Sequence, residues 1–338
     1  FVNWDFMDLF LDLVAGAGLL LSTATFMLGT SNMLVMALLW SLYLSIVNIG
    51  QTWFAYGWES QLLETGFLAI FLYPALKLAA LNSSTPVPWV CIWGFRWLLF
   101  RVMLGSGLIK LRGDPCWRDL TAMHYHYETQ PIPNPLSYWL HKLPGWYHRF
   151  ETFMNHVMEV AVPWLLLAPI RALFLPAGLL QIVFQFVLIS SGNLAFVNWL
   201  TIAPALFCLD DQFWRSLLFK AQHWQDALAG PAAAPPAVLR PGAALPSPSA
   251  AASALTALAT PGAVLRAGLF LLLARRSVPV VRNLCSPRQV MNRSYGPLRL
   301  VNTYGFFGSV TRQRREVVLQ GAAEWRGEAT AWREYELP

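Results

Sequence analysis

Apolar residues in this chain fall in long uninterrupted blocks of a kind that no single water-soluble core requires. About 20 mostly apolar residues are needed to carry a helix across roughly 30 Å of hydrocarbon at 1.5 Å per residue. Residues 9–28, 33–54 and 90–109 meet that length most clearly in the first third. The run 66–81 is shorter and reads as a tilted span or an interfacial helix. Beyond a polar section come 155–170 and 176–190, the latter with 194–209 as a possible continuation, and finally 262–281. The pattern predicts an all-α polytopic membrane bundle of about six transmembrane helices.

The connections differ in kind. Residues 111–149 are rich in His, Tyr, Trp and Pro, which predicts an ordered loop with little regular structure inside a membrane domain spanning 1–226. Residues 227–261 are mostly Ala, Pro, Gly and Ser, a composition that buries too little apolar surface to offset ordering, so a disordered linker is expected there. The last span, 262–281, leads into 282–338, where β-type runs at 298–301 and 316–320 are separated by Gly305 and Gly308. These predict the start of a β-rich soluble domain, cut short. The chain opens on Phe1, and Asp5, Asp8 and Asp12 precede the first apolar run where a signal peptide would carry basic residues, so an internal piece of a longer chain is expected.

Composition strengthens the membrane reading: 56% of residues are hydrophobic and only 12% charged, outside the range of ordinary soluble domains. Sixteen Trp and ten Tyr, many at the ends of apolar runs, suit the headgroup layer. The net charge of +6 forms no dense basic stripe, which argues against nucleic acid as a partner. Nine Arg against five Glu after Val281 make the tail the basic part. That charge would favour a cytosolic tail, although long domains are largely exempt from the positive-inside rule. Four widely spaced cysteines without a Cys-x-x-Cys exclude a thioredoxin-type centre and a zinc ribbon, and leave disulfides open.

Candidate chemistry lies in the polar residues within apolar surroundings. Arg96 and Arg101 fall in the third clear span, where an isolated charge costs on the order of 2.5–3.5 kcal/mol. Together with Lys110 they either snorkel to headgroups or form a buried ion network. Gly105 and Gly107 allow another helix to approach closely. Glu59 and Glu64 are candidate partners for the two arginines, or else simply favour the start of a solvated helix. His148, Glu151, His156 and Glu159 share one helical face within an arc of roughly 140°. That spacing fits a polar helix face, an ion-pair network or, less readily, a metal or acid–base cluster. His124, His126 and Glu128 alternate in the loop. No nucleophile elbow, phosphate-binding loop or His-Glu-x-x-His is present, so neither a catalytic metal site nor a cofactor is expected. Asn82 and Asn292 begin glycosylation acceptor patterns, which require luminal exposure.

Residues 57–67 (GWESQLLETGF), 95–119 (FRWLLFRVMLGSGLIKLRGDPCWRD), 126–140, 148–156, 191–200 and 301–321 together resemble the lipase maturation factor family. The resemblance implies a multi-pass endoplasmic reticulum membrane protein that assists folding, assembly and secretion of homodimeric lipases without a catalytic cycle of its own. Its implied partners are lipoprotein lipase, hepatic lipase and endothelial lipase, together with reticulum folding and quality-control proteins and membrane lipid. It further implies a client-facing luminal surface over roughly 114–146 and the tail from 283. Within it Trp117, Tyr125, Tyr138 and Trp139 are candidates for apolar contacts, and Arg118, His126 and Glu128 for polar ones. A luminal tail agrees with the acceptor pattern at Asn292 and disagrees with the charge count. Residues 105–110 with Trp117 are also distantly similar to the membrane region of the vitamin K-dependent γ-carboxylase family. That similarity implies Lys110 as a base, with the face of His148 and Glu159 accepting protons, if the chain is instead an intramembrane enzyme. A transporter or lipid-handling protein is a third class consistent with Arg96 and Arg101.

Overall fold

The structure, a computed structural model, describes residues 4–80, 87–219, 261–322 and 332–335. The expected linker lies outside these residues except at Pro261, as does the acceptor Asn82. Among the described residues the chain is mostly helical. The principal helices are α1 (Trp4–Leu28), α2 (Met33–Ile49), α3 (Gly57–Ile70) and α4 (Trp89–Arg112). Four more, α5 (Pro115–Arg118), α6 (Met123–Thr129), α7 (Pro135–His141) and α8 (Gly145–His156), precede a π-helical turn at Val157–Ala161 and α9 (Val162–Leu166). The order continues with α10 (Arg171–Ser191), α11 (Val197–Ala205), α12 (211–219) and α13 (Pro261–Cys285).

Among the described residues three helices, Asp8–Leu28, Trp89–Arg112 and Arg171–Ser191, are long and apolar enough to cross a membrane. Met33–Ile49 and Val197–Cys208 are apolar but shorter. The apolar helical character is thus supported, but the count of six is not. In α13 the apolar run is interrupted by Arg266, Arg275 and Arg276. The run at 66–81 is not one element: α3 begins nine residues earlier and stops at Ile70, because Tyr73-Pro74 cannot continue a helix. The possible continuation of α10 into 194–209 is broken after Gly192, and α11 reverses direction.

Direction alternates along the bundle. At one end, β1 (Thr30–Ser31) pairs antiparallel with β2 (Ala79–Ala80), and Asn32 fixes the start of α2 by accepting from Val35 N at 2.9 Å while donating to Leu76 O at 3.1 Å. Arg96 reaches Ala168 O and Arg171 pairs with Asp210 at this same end. At the other end, Arg112 donates to Leu284 O, Asn134 to Ser190 O, and Asn302 to Ser60 O. Residues 113–144 and the described tail residues from 286 therefore share one end, called the loop end below.

Burial sorts the helices. The segment Trp89–Arg112 has 72% of its apolar span buried and is the central rod, whereas Asp8–Leu28 has 6% and lies at the periphery with Leu19, Leu20 and Phe26 outward. Around α4 the core gathers Leu98, Leu99, Val102 and Met103, with Leu166, Ala177, Phe184 and Ala205 from later helices. Leu300, Val301 and Tyr304 of the tail belong to the same core.

Two local expectations change. The loop holds helical turns: Asp114 caps α5 ahead of Pro115, and Asn134 with Ser137 forms a capping box ahead of α7, again with Pro at the first position. The tail, expected to be strand-rich, shows only β3 (Gln320–Gly321), β4 (Arg333–Glu334) and a bridge between Ser294 and Asn302 among its described residues. Residues 300–304 are buried against the bundle, and the Asn302 backbone is bonded by the side chains of Glu64 on α3 and Arg101 on α4.

Candidate functional site

Two buried ion pairs involve α4 residues about two and a half turns apart. Arg101, 1% exposed, is bonded through both terminal nitrogens to the Glu64 carboxylate, itself 1% exposed, on α3. Glu64 also accepts from Asn302 N at 3.1 Å, Asn302 Nδ2 at 3.1 Å and the Tyr304 hydroxyl at 2.8 Å. Arg101 Nη1 in turn donates to Asn302 O at 2.6 Å. Removing two charges from water is costly, and these bonds to both terminal nitrogens and both carboxylate oxygens offset much of it, although Arg101 Nε is left without a partner among the described residues. The result is a clasp that holds residues 302–304 inside the membrane domain. Gly105 makes this possible, because a Cβ there would run into the Tyr304 carbonyl.

The second pair is Lys110 with Glu159. Lys110 Nζ donates to both carboxylate oxygens, at 2.5 and 2.6 Å, and Asn155 Nδ2 adds a bond of 3.1 Å. Glu159 reaches α4 because the helix is over-wide there. Pro163 supplies no N–H to the Glu159 carbonyl and its ring crowds it, so the Val162 N–H bonds Val157 O, five residues back. A Cβ on Gly107 would stand 2.6 Å from Val160 Cγ2 and 3.0 Å from the Glu159 backbone, so glycine is what lets α4 meet this turn. The Trp117 ring lies 5.0 Å from Lys110 Nζ. A small cavity of about 40 Å³ beside Glu159 is lined by Ser106, Gln185, Asn198 and Phe307.

The pairings predicted between Glu59, Glu64, Arg96 and Arg101 are half realised. Glu64 pairs with Arg101, but Glu59 accepts from the Tyr43 hydroxyl. Arg96 has no carboxylate; its guanidinium donates to Ala168 O, stacks over Phe174 at 3.9 Å and Trp93 at 4.8 Å, and meets the Cys208 thiol. The shared face of His148, Glu151, His156 and Glu159 is split three ways. His148 lies 3.3 Å from Glu151, which accepts from the Tyr127 hydroxyl at 2.7 Å, while His156 Nε2 meets Trp117 O and Glu159 turns to Lys110. Among the described residues no three His, Cys, Asp or Glu groups converge as metal ligands. All four cysteines are free thiols, with Cys285 exposed and the others buried.

Above these pairs, Trp117 is 2% exposed and packs with Cys116, Ala122 and Val310, so the exposure expected of it is corrected. Tyr125 and His126 are half-buried, while Arg118, Glu128, Tyr138 and Trp139 are exposed. Burial and the nearby Lys110 cation push the His126 imidazole down to about 4. Burial raises the Glu151 carboxyl. Arg314 Nη1 donates to the carbonyls of Glu128 at 2.9 Å and Gln130 at 3.2 Å, which joins tail to loop. Asn292 lies in the tail in the left-handed region (φ 51°), with its amide bonded to both Gly305 N and Gly305 O. Sequence reasoning missed Asn302, Tyr304 and Arg314, which lie between the β-type runs at 298–301 and 316–320.

The family model described as the lipase maturation factor transmembrane domain matches residues 1–216. Lipase maturation factor 1 of Bos taurus is 50% identical over 342 residues, covering 99% of this chain and 58% of the relative. Its Homo sapiens counterpart is 49% identical, again over 99% of this chain and 57% of the relative. Lipase maturation factor 2 of Xenopus laevis is 42% identical over 212 residues, or 61% of this chain and 29% of the relative. The chain thus spans a little under three fifths of the length of the first two relatives. No solved structure matches it. With a membrane-domain match over most of the chain and half its residues shared with these relatives, the chain belongs to the lipase maturation factor family.

Proposed function

We propose that this protein is a multi-pass endoplasmic reticulum membrane factor that binds partly folded homodimeric lipases, such as lipoprotein, hepatic and endothelial lipase, and favours their assembly and secretion without its own catalysis. One observation carries the reading. Arg314 ties the tail to the loop at one end of the bundle, forming a continuous surface that an incomplete lipase subunit can meet. Arg118 and Glu128 are exposed there, and Val317 (85% exposed) leads an apolar strip through Leu319. Such a strip offers contacts to unpaired apolar client surface. Trp117, Tyr125 and His126 support that surface from beneath. Reticulum quality-control proteins would meet the same end.

The rival reading, Lys110 as the base of an intramembrane enzyme, draws on its burial beside the Glu159 cavity. It fits the geometry less well, because a base needs a free lone pair and this ammonium donates to both Glu159 oxygens.

The test is secreted lipoprotein lipase activity per unit of lipase mass in cells lacking the endogenous factor. Expression of the chain is expected to raise that ratio, and Val317→Asp with Arg118→Glu to lower it at least threefold at unchanged protein level. A surface-variant protein with full activity overturns the surface. If Lys110→Met remains folded yet abolishes activity while the surface variants do not, the enzymatic reading takes its place.

A further inference from the structure

The segment 131–143 carries apolar residues that are largely exposed among the described residues. Ile132 is 60% exposed, Leu136 44%, Trp139 65% and Leu143 37%. Leu136 and Trp139 are three residues apart on one side of α7, and Leu143 follows just beyond its end. The opposite side is polar and bonded to its neighbours. Ser137, 1% exposed, donates to Ser191 O at 2.8 Å, Asn134 Nδ2 donates to Ser190 O at 2.9 Å, and Gln130 Nε2 bonds Ser137 Oγ at 2.8 Å. All of these anchors are on, or reach, the last turn of α10, one of the three helices long and apolar enough to cross a membrane. A helix fastened to the end of a span lies at the depth of the membrane boundary.

Its flanks have the matching chemistry. Lys142 lies over the Tyr138 ring at 3.8 Å and 5.5 Å from the Trp139 ring, both residues being exposed, and Arg149 is exposed on α8. Trp and Tyr rings favour the headgroup layer and Lys or Arg its phosphates. Further large apolar residues are exposed on the next elements: Trp146, Phe150 and Phe153, at spacings of four and three on α8, and Trp164 on α9.

We propose that α7 is an interfacial membrane helix, with Leu136, Trp139 and Leu143 inserted at the boundary of phospholipid headgroups and acyl chains and Lys142 directed to the phosphates. This reassigns Tyr138 and Trp139 from client contact to lipid contact. It does not depend on the lipase reading. The loop then hangs from the membrane at two points, α7 and the end of α4, which holds Arg118 and Glu128 towards the aqueous side.

The test uses the full chain in phosphatidylcholine nanodiscs. In a Cys285→Ser background, the remaining thiols being buried, Trp139→Cys and Glu128→Cys are each labelled with an environment-sensitive fluorophore. Quenching by lipid carrying a shallow doxyl group is expected to be at least threefold stronger at 139 than at 128, with the reverse order for aqueous iodide. Equal quenching at the two positions, or stronger iodide quenching at 139, overturns the proposal. The unsubstituted chain supplies a second reading that no folding defect can blur. Photolysis in nanodiscs containing a headgroup-proximal diazirine phospholipid is expected to label the peptide 131–143, and its absence among the labelled peptides counts equally against the proposal.

Discussion

Arg101 and Glu64 hold each other and the tail in one hydrogen-bonded unit, so their substitutions are unequal. Arg101→Met leaves a buried carboxylate with neutral donors only and is expected to cost about 3–5 kcal/mol. Pairing it with Glu64→Gln removes both charges and is expected to recover more than half of that loss, read as thermal unfolding in detergent. His126 supplies a pH dependence. Its imidazole is held near 4 when folded against about 6.5 when free, so the unfolded loop takes up a proton that the folded loop refuses. Loop stability should therefore decline as pH falls from about 6.5 and level off near 4. Glu151 works in the opposite sense, since its raised carboxyl gains from acid. Comparing protease cleavage of 113–144 in the parent and in His126→Gln isolates the histidine, and an unchanged acid response in that variant would refute the assignment. At this scale the sequence made the charged residues legible, because Arg and Lys in apolar runs demand partners. It offered Glu64 as a candidate for Arg101 but not Asn302 and Tyr304, which lie some 200 residues beyond Arg101 with no periodicity to link them.

Elements were legible where hydrophobicity alone sets them. The centres of α1, α4 and α10 fall within the apolar blocks that predicted them, because length and apolarity are the whole requirement for a span. The amphipathic elements were less visible. The α8 helix begins ten residues before its apolar block, at the Pro144-Gly145 start, and the α5 to α7 turns are set by caps and prolines in a stretch that composition marks only as loop. The π-helical turn was invisible, although Pro163 placed four residues after Glu159 is in hindsight its signature. That turn and Gly107 define a contact with little slack. Gly107→Ala is expected to push α4 from the turn and weaken the Lys110 to Glu159 bonds, lowering the unfolding temperature by several degrees. Ser106→Ala, one residue away and with its hydroxyl bonded only within its own helix at Val102 O, serves as the control and should change it far less.

At the scale of the molecule, the alternation of helix direction has a consequence that the charge count alone misses. Loop and tail are bonded to each other and to the same ends of α4, α10 and α13, so whichever compartment holds one holds both. Arg171 and Asp210 mark the opposite end. The basic tail would be cytosolic by a simple positive-inside count, and the loop with it. A position at the luminal side instead rests on the tail behaving as a long domain exempt from that count. The two alternatives separate cleanly in sealed microsomes with a membrane-impermeant maleimide. The exposed native thiol of Cys285 and an engineered Glu128→Cys are expected to react together, only after the membrane is opened, while Asp211→Cys is expected to react in intact vesicles. Reaction of Cys285 and position 128 on opposite sides would break the shared end on which the client surface depends. Reaction of both in intact vesicles would keep that surface whole but turn it to the cytosol, where no secreted lipase could reach it.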